Sequence, residues 1–532
     1  MSVSELLSSL TASLGADRVL DREQAHERYP AETSLAAAAF HGALRPRSMS
    51  ELSACVAAAS RLGTALYPIS TGNNWGYGAA TPSRDGCILL DLGRLSRIRE
   101  FDERSGVVTL EPGVTQARLH QFLCDGKHPY LVPVTGAGPS CSIVGNAIER
   151  GYGVTPWVDH FHAVMSVEVM LADGSMYRSP LSAMGAGRID RLFKWGIGPY
   201  LDGIFTQSGF GIVTAMSIAL ARQAESMQCF LFSLEDDARL GPAVDATRDI
   251  LTALPGLVGG INLMNRHRVL AMAAPYPRGR LGPDGLIPPE LLETMGRTLQ
   301  IFPWTGYGTL YGTQRTARAA RAEIRQRLRG IASRLVFISP ARAEQLTRLL
   351  RFLPGPLRAR VAPALSIVAQ SLELVSGKPN QTALPLAYWR SGHARDPDAL
   401  NPARDGCGLA WFAPLVPIDG AAVHEYVQFT TATMRRHRLE PLITLTSVNE
   451  RCFDSTVPLL FDPTQPAEVE RVRTAHRQLL DEALAHGLAP YRVGTDAMDW
   501  LRASAPEHWQ LVRRLKDALD PGGILAPGRY SA

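Results

Sequence analysis

Lysine is scarce in this chain: of 55 basic residues among 532, only Lys127, Lys194, Lys378 and Lys516 are lysines. Schiff-base and lysine-base chemistry therefore has few candidates, whereas guanidinium groups for pairing with anions are plentiful. The seven cysteines are scattered singly with no CxxC, which argues against a disulfide framework or a zinc site and for reduced thiols in a cytosolic setting. No apolar run reaches the roughly 18 residues of a membrane span, and the N-terminus lacks a basic stretch followed by a long apolar core. A soluble, cytoplasmic protein without a membrane partner is expected. The 55 basic and 50 acidic residues are dispersed, and the net charge of +5 forms no basic run, which speaks against a nucleic-acid footprint.

What the chain does have is an ordinary globular composition, 45% hydrophobic and 20% charged, over a length that suits two or three domains. "SMSELSACVAAASRLG" carries a Ser cap, a Glu three residues on and helical apolar spacing, and it leads through the short strand "LYPI" into "STGNNWGYGAATP" (70–82). "CILLDL" and "GVVTLEPGV" read as strands separated by the charged turn "DERSG", and "TQARLHQFLCDG" as a helix ended by glycine. A second glycine-rich stretch spans 136–156, followed by "AVMSVEVMLADGSMYRS" as a hairpin turning at Asp173-Gly174. A third, "QSGFGIVTAMSIAL", is a turn feeding a strand. From about Arg222 to Pro490 longer helices alternate with strands such as "FLFSL", "GLAWFAP" and "PLITLTS", which reads as a separate α+β domain.

Successive glycines expose main-chain N–H groups and let phosphate oxygens approach the backbone. The glycines at 72, 76 and 78 do not have the GxGxxG spacing of a dinucleotide fold, and no P-loop motif is present. One such loop alone is more often a plain turn; three in order carry more weight.

The ordered blocks "PISTGNNWGYGAATP", "VVTLEPGVT", "VGNAIERGYGVTPW", "GIGPYLDGIFTQSGFGIVT", "WFAP", "YRV" and "DPGGILAPGR" resemble the vanillyl-alcohol oxidase / p-cresol methylhydroxylase family from about residue 46 to the C-terminus. The resemblance implies an α+β fold of two domains: an FAD-binding part over 1–221 completed by 491–532, and a cap domain over 222–490 that covers the flavin. It also implies that Ser70, Thr71, Gly72, Asn73 and Asn74 cradle the FAD pyrophosphate. Gly138, Pro139, Ser140, Gly145, Asn146, Glu149 and Gly153 would line the cofactor further along, and Gly211, Ile212 and Val213 would lie by its adenosine end. Arg492 would sit near flavin N1, where a fixed positive charge stabilises the reduced ring.

In that family the flavin takes a hydride from the benzylic carbon of a para-substituted phenol, leaving a quinone methide. Tyr77, Tyr491 and Arg529 match the positions that favour the phenolate through charge-assisted hydrogen bonds. The chain departs from the family in three places. The region before Gly145 and the strand "PLITLTS", with Thr444 where the p-cresol enzyme has glutamate, lack the family's carboxylates, which leaves water attack without an evident base. Ala387 stands at the flavin-linked tyrosine of the p-cresol enzyme, with Tyr388 one residue on and pointing away if the segment is a strand. Leu409 stands at the flavin-linked histidine of the vanillyl-alcohol enzyme. Non-covalent FAD is expected, with Tyr388 or His393 as the remaining tethers. "WVDHFH" brings Asp159, His160 and His162 together, the two histidines on one face of a strand, but lacks further ligands for a metal.

Three readings follow. The first is an FAD-dependent oxidase or dehydrogenase of a 4-hydroxybenzylic or 4-alkylphenol compound, or of a larger phenolic intermediate, passing electrons to O2 or to a protein acceptor. The second is a flavoenzyme acting on a non-phenolic alcohol, and the third a flavin-binding scaffold. A homodimer or higher oligomer is the family's habit.

Overall fold

The computed structural model describes residues 3–29, 33–36, 39–349, 352, 355–392 and 395–531, and leaves out the side chains of 356–364 and 367. The chain forms two compact units, Met1–Tyr152 with Asp159–Ala221 and Val493–Ala532, and Gly153–Val158 with Arg222–Arg492.

Among its described residues the first unit holds two sheets of more than two strands. One has four strands in the order Val19–Leu20, Phe40–Leu44, Cys87–Asp91, Leu66–Ile69, the last three parallel. The other has five, Ile98–Asp102, Val107–Leu110, Ile212–Ala219, Val164–Met170 and Met176–Arg178, all antiparallel. The helix Met49–Leu62 starts where the Ser48 hydroxyl accepts the Glu51 N–H at 3.2 Å, which satisfies one of the donors a helix start leaves open. It buries Leu52, Val56 and Ala59 against Ile88 and Leu90 of the first sheet, the apolar face that the helical spacing of those residues predicts.

The strand Leu66–Ile69 runs directly into the loop 70–82, and the C-terminal tail comes back beside it. Leu66 donates to the Ile524 carbonyl at 2.6 Å, and Ala526 donates to Leu66 at 2.7 Å. One of the four lysines holds this return. Lys516, in the helix Pro506–Leu519, is 6% exposed, and its ammonium donates to Asp520 Oδ2 (2.5 Å), the Gly209 carbonyl (2.6 Å) and the Leu525 carbonyl (2.7 Å). Asp520 in turn accepts from the N–H groups of Ile524 and Leu525 at 3.0 and 2.8 Å. Every donor of the buried ammonium is used, the condition under which a buried charge is tolerated.

The second unit is built on a large antiparallel sheet running Arg334–Ile338, Ser226–Leu234, Trp304–Gly312, Val258–Asn265, Thr444–Ser447, Cys452–Phe461, Pro414–Pro417 and Ala489–Pro490, with Gly408–Phe412 also paired to Cys452–Phe461. Helices Leu240–Ala253, Gln314–Arg327, Gly420–Arg436 and Pro466–Ala485 accompany it. Mixed helices and sheets make this the α+β fold expected.

Three local expectations are corrected. Between "CILLDL" and "GVVTLEPGV" an additional strand, Ile98–Asp102, precedes the charged turn. Pro385–Tyr388 is a short helix, not a strand; proline at its first position suits a helix start, so strand alternation does not govern where Tyr388 points. His160 and His162 lie in a turn and do not share a strand face. His393 lies outside the described residues.

Candidate active site

In the first unit, two of the glycine-rich loops meet. Asn73 Nδ2 donates to Ser140 Oγ at 2.7 Å, and the Ser142 N–H donates to Thr71 Oγ1 at 3.1 Å. A Cβ placed on Gly145 would lie 2.3 Å from Ser70 Oγ, so glycine at 145 is what lets the loops touch. Gly138 and Pro139 are held from behind, Gly138 through its carbonyl to Gln116 Nε2 (3.0 Å) and Pro139 through its carbonyl to the Ala117 N–H (2.9 Å). Among the described residues, no acceptor pairs with the main-chain N–H of Thr71, Gly72 or Asn73, although the loop is part-buried. Folded chains leave few such donors unmatched, and a row of adjacent main-chain donors beside a left-handed glycine is the pattern of an anion cradle. Gly211 is explained differently: its Cβ would strike Val169 Cγ1 at 2.4 Å, while Ile212 and Val213 are buried in the five-stranded sheet.

Further along the first loop, Tyr77 is 3% exposed. Its carbonyl accepts from Arg529 Nη1 at 3.1 Å and from the Thr495 N–H at 3.2 Å. Gly78 permits this approach, since a Cβ there would meet Thr495 Cγ2 at 2.4 Å and its φ is +109°. Arg529, also buried, donates through Nη2 to both carboxylate oxygens of Glu149, at 2.9 and 3.0 Å. Burial opposes the charge, but Glu149 outweighs it and keeps the guanidinium protonated far above any working pH. The resemblance assigns Arg529 to the substrate and Glu149 to the cofactor; the fold joins them in one ion pair.

Gly153, Tyr491 and Arg492 belong to the second unit. Tyr491 donates its N–H to the Ala413 carbonyl at 3.3 Å, and the Arg492 guanidinium carbon lies 5.3 Å from the centre of the Tyr491 ring, a cation–π contact. Thr444 is 5% exposed and its Oγ1 has no hydrogen-bond partner. The Tyr388 hydroxyl donates to Asp405 Oδ2 at 2.7 Å; burial and that carboxylate push its pKa well above the ordinary tyrosine range.

Two residues carry weight that the sequence did not announce. His160, 1% exposed, faces Asn146 with Nδ1 at 2.5 Å from Nδ2, and its Nε2 has no partner. The Asn146 amide donates to Nδ1, which places the histidine's own proton on Nε2; burial lowers its pKa to about 3 and keeps the ring neutral. Thr33 accepts the Gly76 N–H at 2.7 Å. Asn146 fourteen residues before a histidine offered no periodic signal. Among the described residues no group of three or more His, Cys, Asp or Glu side chains is placed to hold a metal, and no helix is long and apolar enough to cross a membrane.

Residues 40–179 match the FAD binding domain family, and residues 420–530 match the C-terminal domain of FAD linked oxidases. The chain is 34% identical to 1'-carboxy-chondrochloren decarboxylase of Chondromyces crocatus over 98% of its own length and 96% of that protein. It is 28% identical to the flavoprotein subunit of 4-cresol dehydrogenase [hydroxylating] of Pseudomonas putida, over 87% and 82% of the two chains. The chain belongs to the p-cresol methylhydroxylase family of FAD-linked oxidoreductases. Its fold superposes on substrate-bound p-cresol methylhydroxylase with a TM-score of 0.87 at 25% identity, covering 99% of this chain and 96% of that one. For 4-ethylphenol oxidase from Gulosibacter chungangensis the TM-score is 0.88 at 24% identity, over 99% and 97%. The unmatched N–H groups of Thr71, Gly72 and Asn73 fit the FAD that this family binds, because a pyrophosphate supplies the acceptors those donors lack.

Proposed function

We propose that this flavoprotein oxidises the benzylic carbon of a para-substituted phenol, with the loops 70–74 and 138–146 holding the FAD pyrophosphate and FAD held without a covalent tether. The observation that carries this reading is the fixing of Tyr77 by Arg529 and Thr495 at the end of the pyrophosphate loop. These bonds hold the main chain at Tyr77, whose buried side chain the family resemblance assigns to the phenolate oxygen. The family resemblance assigns the second hydroxyl to Tyr491 and the guanidinium to Arg529, the set a phenolate requires, and gives Arg492 to the reduced flavin. FAD, when bound, supplies the two-electron acceptor for the hydride. The engagement of the Tyr388 hydroxyl by Asp405 supports the non-covalent state.

A second reading is favoured by Thr444 and by the similarity to 1'-carboxy-chondrochloren decarboxylase. A neutral hydroxyl at 444 is no base for water. A quinone methide that carries a carboxylate on the adjacent carbon needs no water: the C–C bond breaks, CO2 leaves, and the bonding pair returns to the ring as a vinylphenolate. Two electrons pass to the flavin, and reoxidation by O2 or a protein acceptor closes the cycle.

The test is anaerobic bleaching of the FAD-loaded protein by 4-ethylphenol, vanillyl alcohol and 3-(4-hydroxyphenyl)propionate. Bleaching by at least one, with CO2 and 4-vinylphenol from the last, is expected. An unbleached flavin with all three overturns the phenolic reading.

A further inference from the structure

The helix Gln116–Asp125 of the first unit has two unlike faces. Gln116, Leu119 and Leu123 are buried, and Gln116 holds the Gly138 carbonyl from that side. Arg118, Gln121, Phe122 and Asp125 recur at the three- and four-residue steps of a helix and so share another face. Together with Arg97, Ile98, Arg99 and Met49 they line one groove of about 920 Å3, a size that suits a small molecule. The strand Ile98–Asp102 is the outermost of the five-stranded sheet, and the Phe101 ring meets Phe122 edge-on with centroids 5.6 Å apart. That contact ties the strand to the helix.

Two of the three guanidiniums are held in place from below. The Glu111 side chain is 1% exposed. Its Oε1 accepts from Arg97 Nε (3.1 Å) and Nη2 (2.9 Å) and from Arg99 Nε (3.1 Å), while its Oε2 accepts the Arg97 N–H at 2.8 Å. Burial would raise the Glu111 pKa, but these bonds outweigh it and keep the carboxylate ionised. Arg99 Nη1 donates in addition to Glu168 at 2.8 Å. Fixed in this way, Arg97 and Arg99 lose little further freedom when they take a ligand.

The third guanidinium is uncommitted. Among the described residues the exposed Arg118 side chain has no ion pair and no hydrogen bond; only its main-chain N–H is used, to the Thr115 hydroxyl at 3.2 Å. Arg97 Nη1 and Arg99 Nη2 are likewise without a partner there. The lining carries three guanidiniums against one carboxylate, Asp125, which accepts from Gln121 Nε2 at 2.6 Å. Part-buried Met49, Ile98 and Phe122 supply apolar surface in the same groove. An anion joined to an apolar body matches both halves of this lining. One guanidinium fork satisfies the two oxygens of a carboxylate, whereas a phosphate monoester, with three free oxygens and about two charges, suits several.

We infer that this groove binds an organic phosphate monoester, with the phosphate on Arg97, Arg99 and Arg118 and the apolar part of the ester against Met49, Ile98 and Phe122. The site lies wholly within the first unit and is independent of the phenolic reading. A soluble ester and a phosphatidic acid headgroup present the same chemistry.

The test titrates hexyl phosphate into the FAD-loaded full chain by calorimetry, with hexan-1-ol and inorganic phosphate as probes that each lack one half of it. Hexyl phosphate is expected to bind about tenfold or more tightly than either. Arg118→Gln changes an exposed side chain without a partner, so it should fold as the wild type does and weaken hexyl phosphate about tenfold; Arg97→Gln should weaken it similarly. Sedimentation with phosphatidylcholine vesicles that contain phosphatidic acid, lost in Arg118→Gln, would identify the lipid as the source. Binding of hexyl phosphate without such sedimentation would identify a soluble ester, and either result supports the site. Undetectable binding of hexyl phosphate by the wild type overturns the inference, and so does an unchanged affinity in Arg118→Gln. A glutamate-rich peptide that binds more tightly than hexyl phosphate and depends on Arg118 overturns the phosphate assignment in favour of an acidic protein partner.

Discussion

Arg529 and Glu149, 380 residues apart, form a buried ion pair in which one guanidinium nitrogen reaches both carboxylate oxygens at 2.9 and 3.0 Å. The same guanidinium holds the Tyr77 carbonyl, so a single cation links the C-terminal tail, the second glycine-rich loop and the tyrosine of the first.

Glu149→Gln leaves that guanidinium buried without its counter-charge and is expected to cost about 3 kcal/mol of stability. Arg529→Met should cost a similar amount, and the double variant less than the sum of the two. Thermal unfolding in a double-mutant cycle measures the coupling; additive costs would mean the pair contributes nothing beyond its separate packing.

Gly145→Ala drives a methyl group against Ser70 Oγ and is expected to push the two loops apart, weakening FAD binding by about tenfold. Adding Ser70→Ala removes the clashing oxygen and should recover part of the loss. Flavin fluorescence on titrating the stripped protein reads both.

Acid should destabilise the protein through His160. Its pKa of about 3 in the folded chain lies below the ordinary 6.5, so below about pH 6.5 the unfolded chain binds a proton that the native one refuses. Stability is therefore full above that pH and falls as pH drops towards 3, by up to about 1.4 kcal/mol per pH unit for this group. His267, depressed to about 3 by burial and by Arg435 and Arg266, adds a second contribution of the same sign. His160→Gln should flatten the acid limb by about one proton, seen as a smaller slope of unfolding free energy between pH 4 and 6.

Lys516→Met deprives Asp520 and the carbonyls of Gly209 and Leu525 of their donor and leaves a buried carboxylate uncompensated. A loss of about 3 kcal/mol is expected, with faster hydrogen exchange over 520–531 and weaker retention of FAD. Exchange rates in the tail that match the wild type would show that Lys516 does not hold it.

Acid precipitation of the FAD-loaded protein should leave the yellow colour in the supernatant, and Tyr388→Phe should not alter that. Flavin that stays with the pellet in the wild type and leaves it in the variant would assign the tether to Tyr388 in spite of its bond to Asp405.

Much of the fold is written in local sequence. The Ser48 cap, the apolar spacing through Leu52, Val56 and Ala59, the hairpin turning at Asp173-Gly174 and the end of the last helix before Pro521 each depend on a few neighbouring residues, whose preferences act over one or two turns of chain. The glycine-rich loops are legible for the same reason, since missing side chains and exposed N–H groups are properties of the segment itself. The FAD-linked family was visible in the order of these blocks. What only the tertiary structure decided is which charges have partners. Arg529 meets Glu149, Lys516 meets Asp520 and two carbonyls, and Tyr388 leaves the expected strand for a helix and finds Asp405. These outcomes depend on how remote segments pack and on how much water each group keeps, and neither quantity is carried by the spacing of residues along the chain.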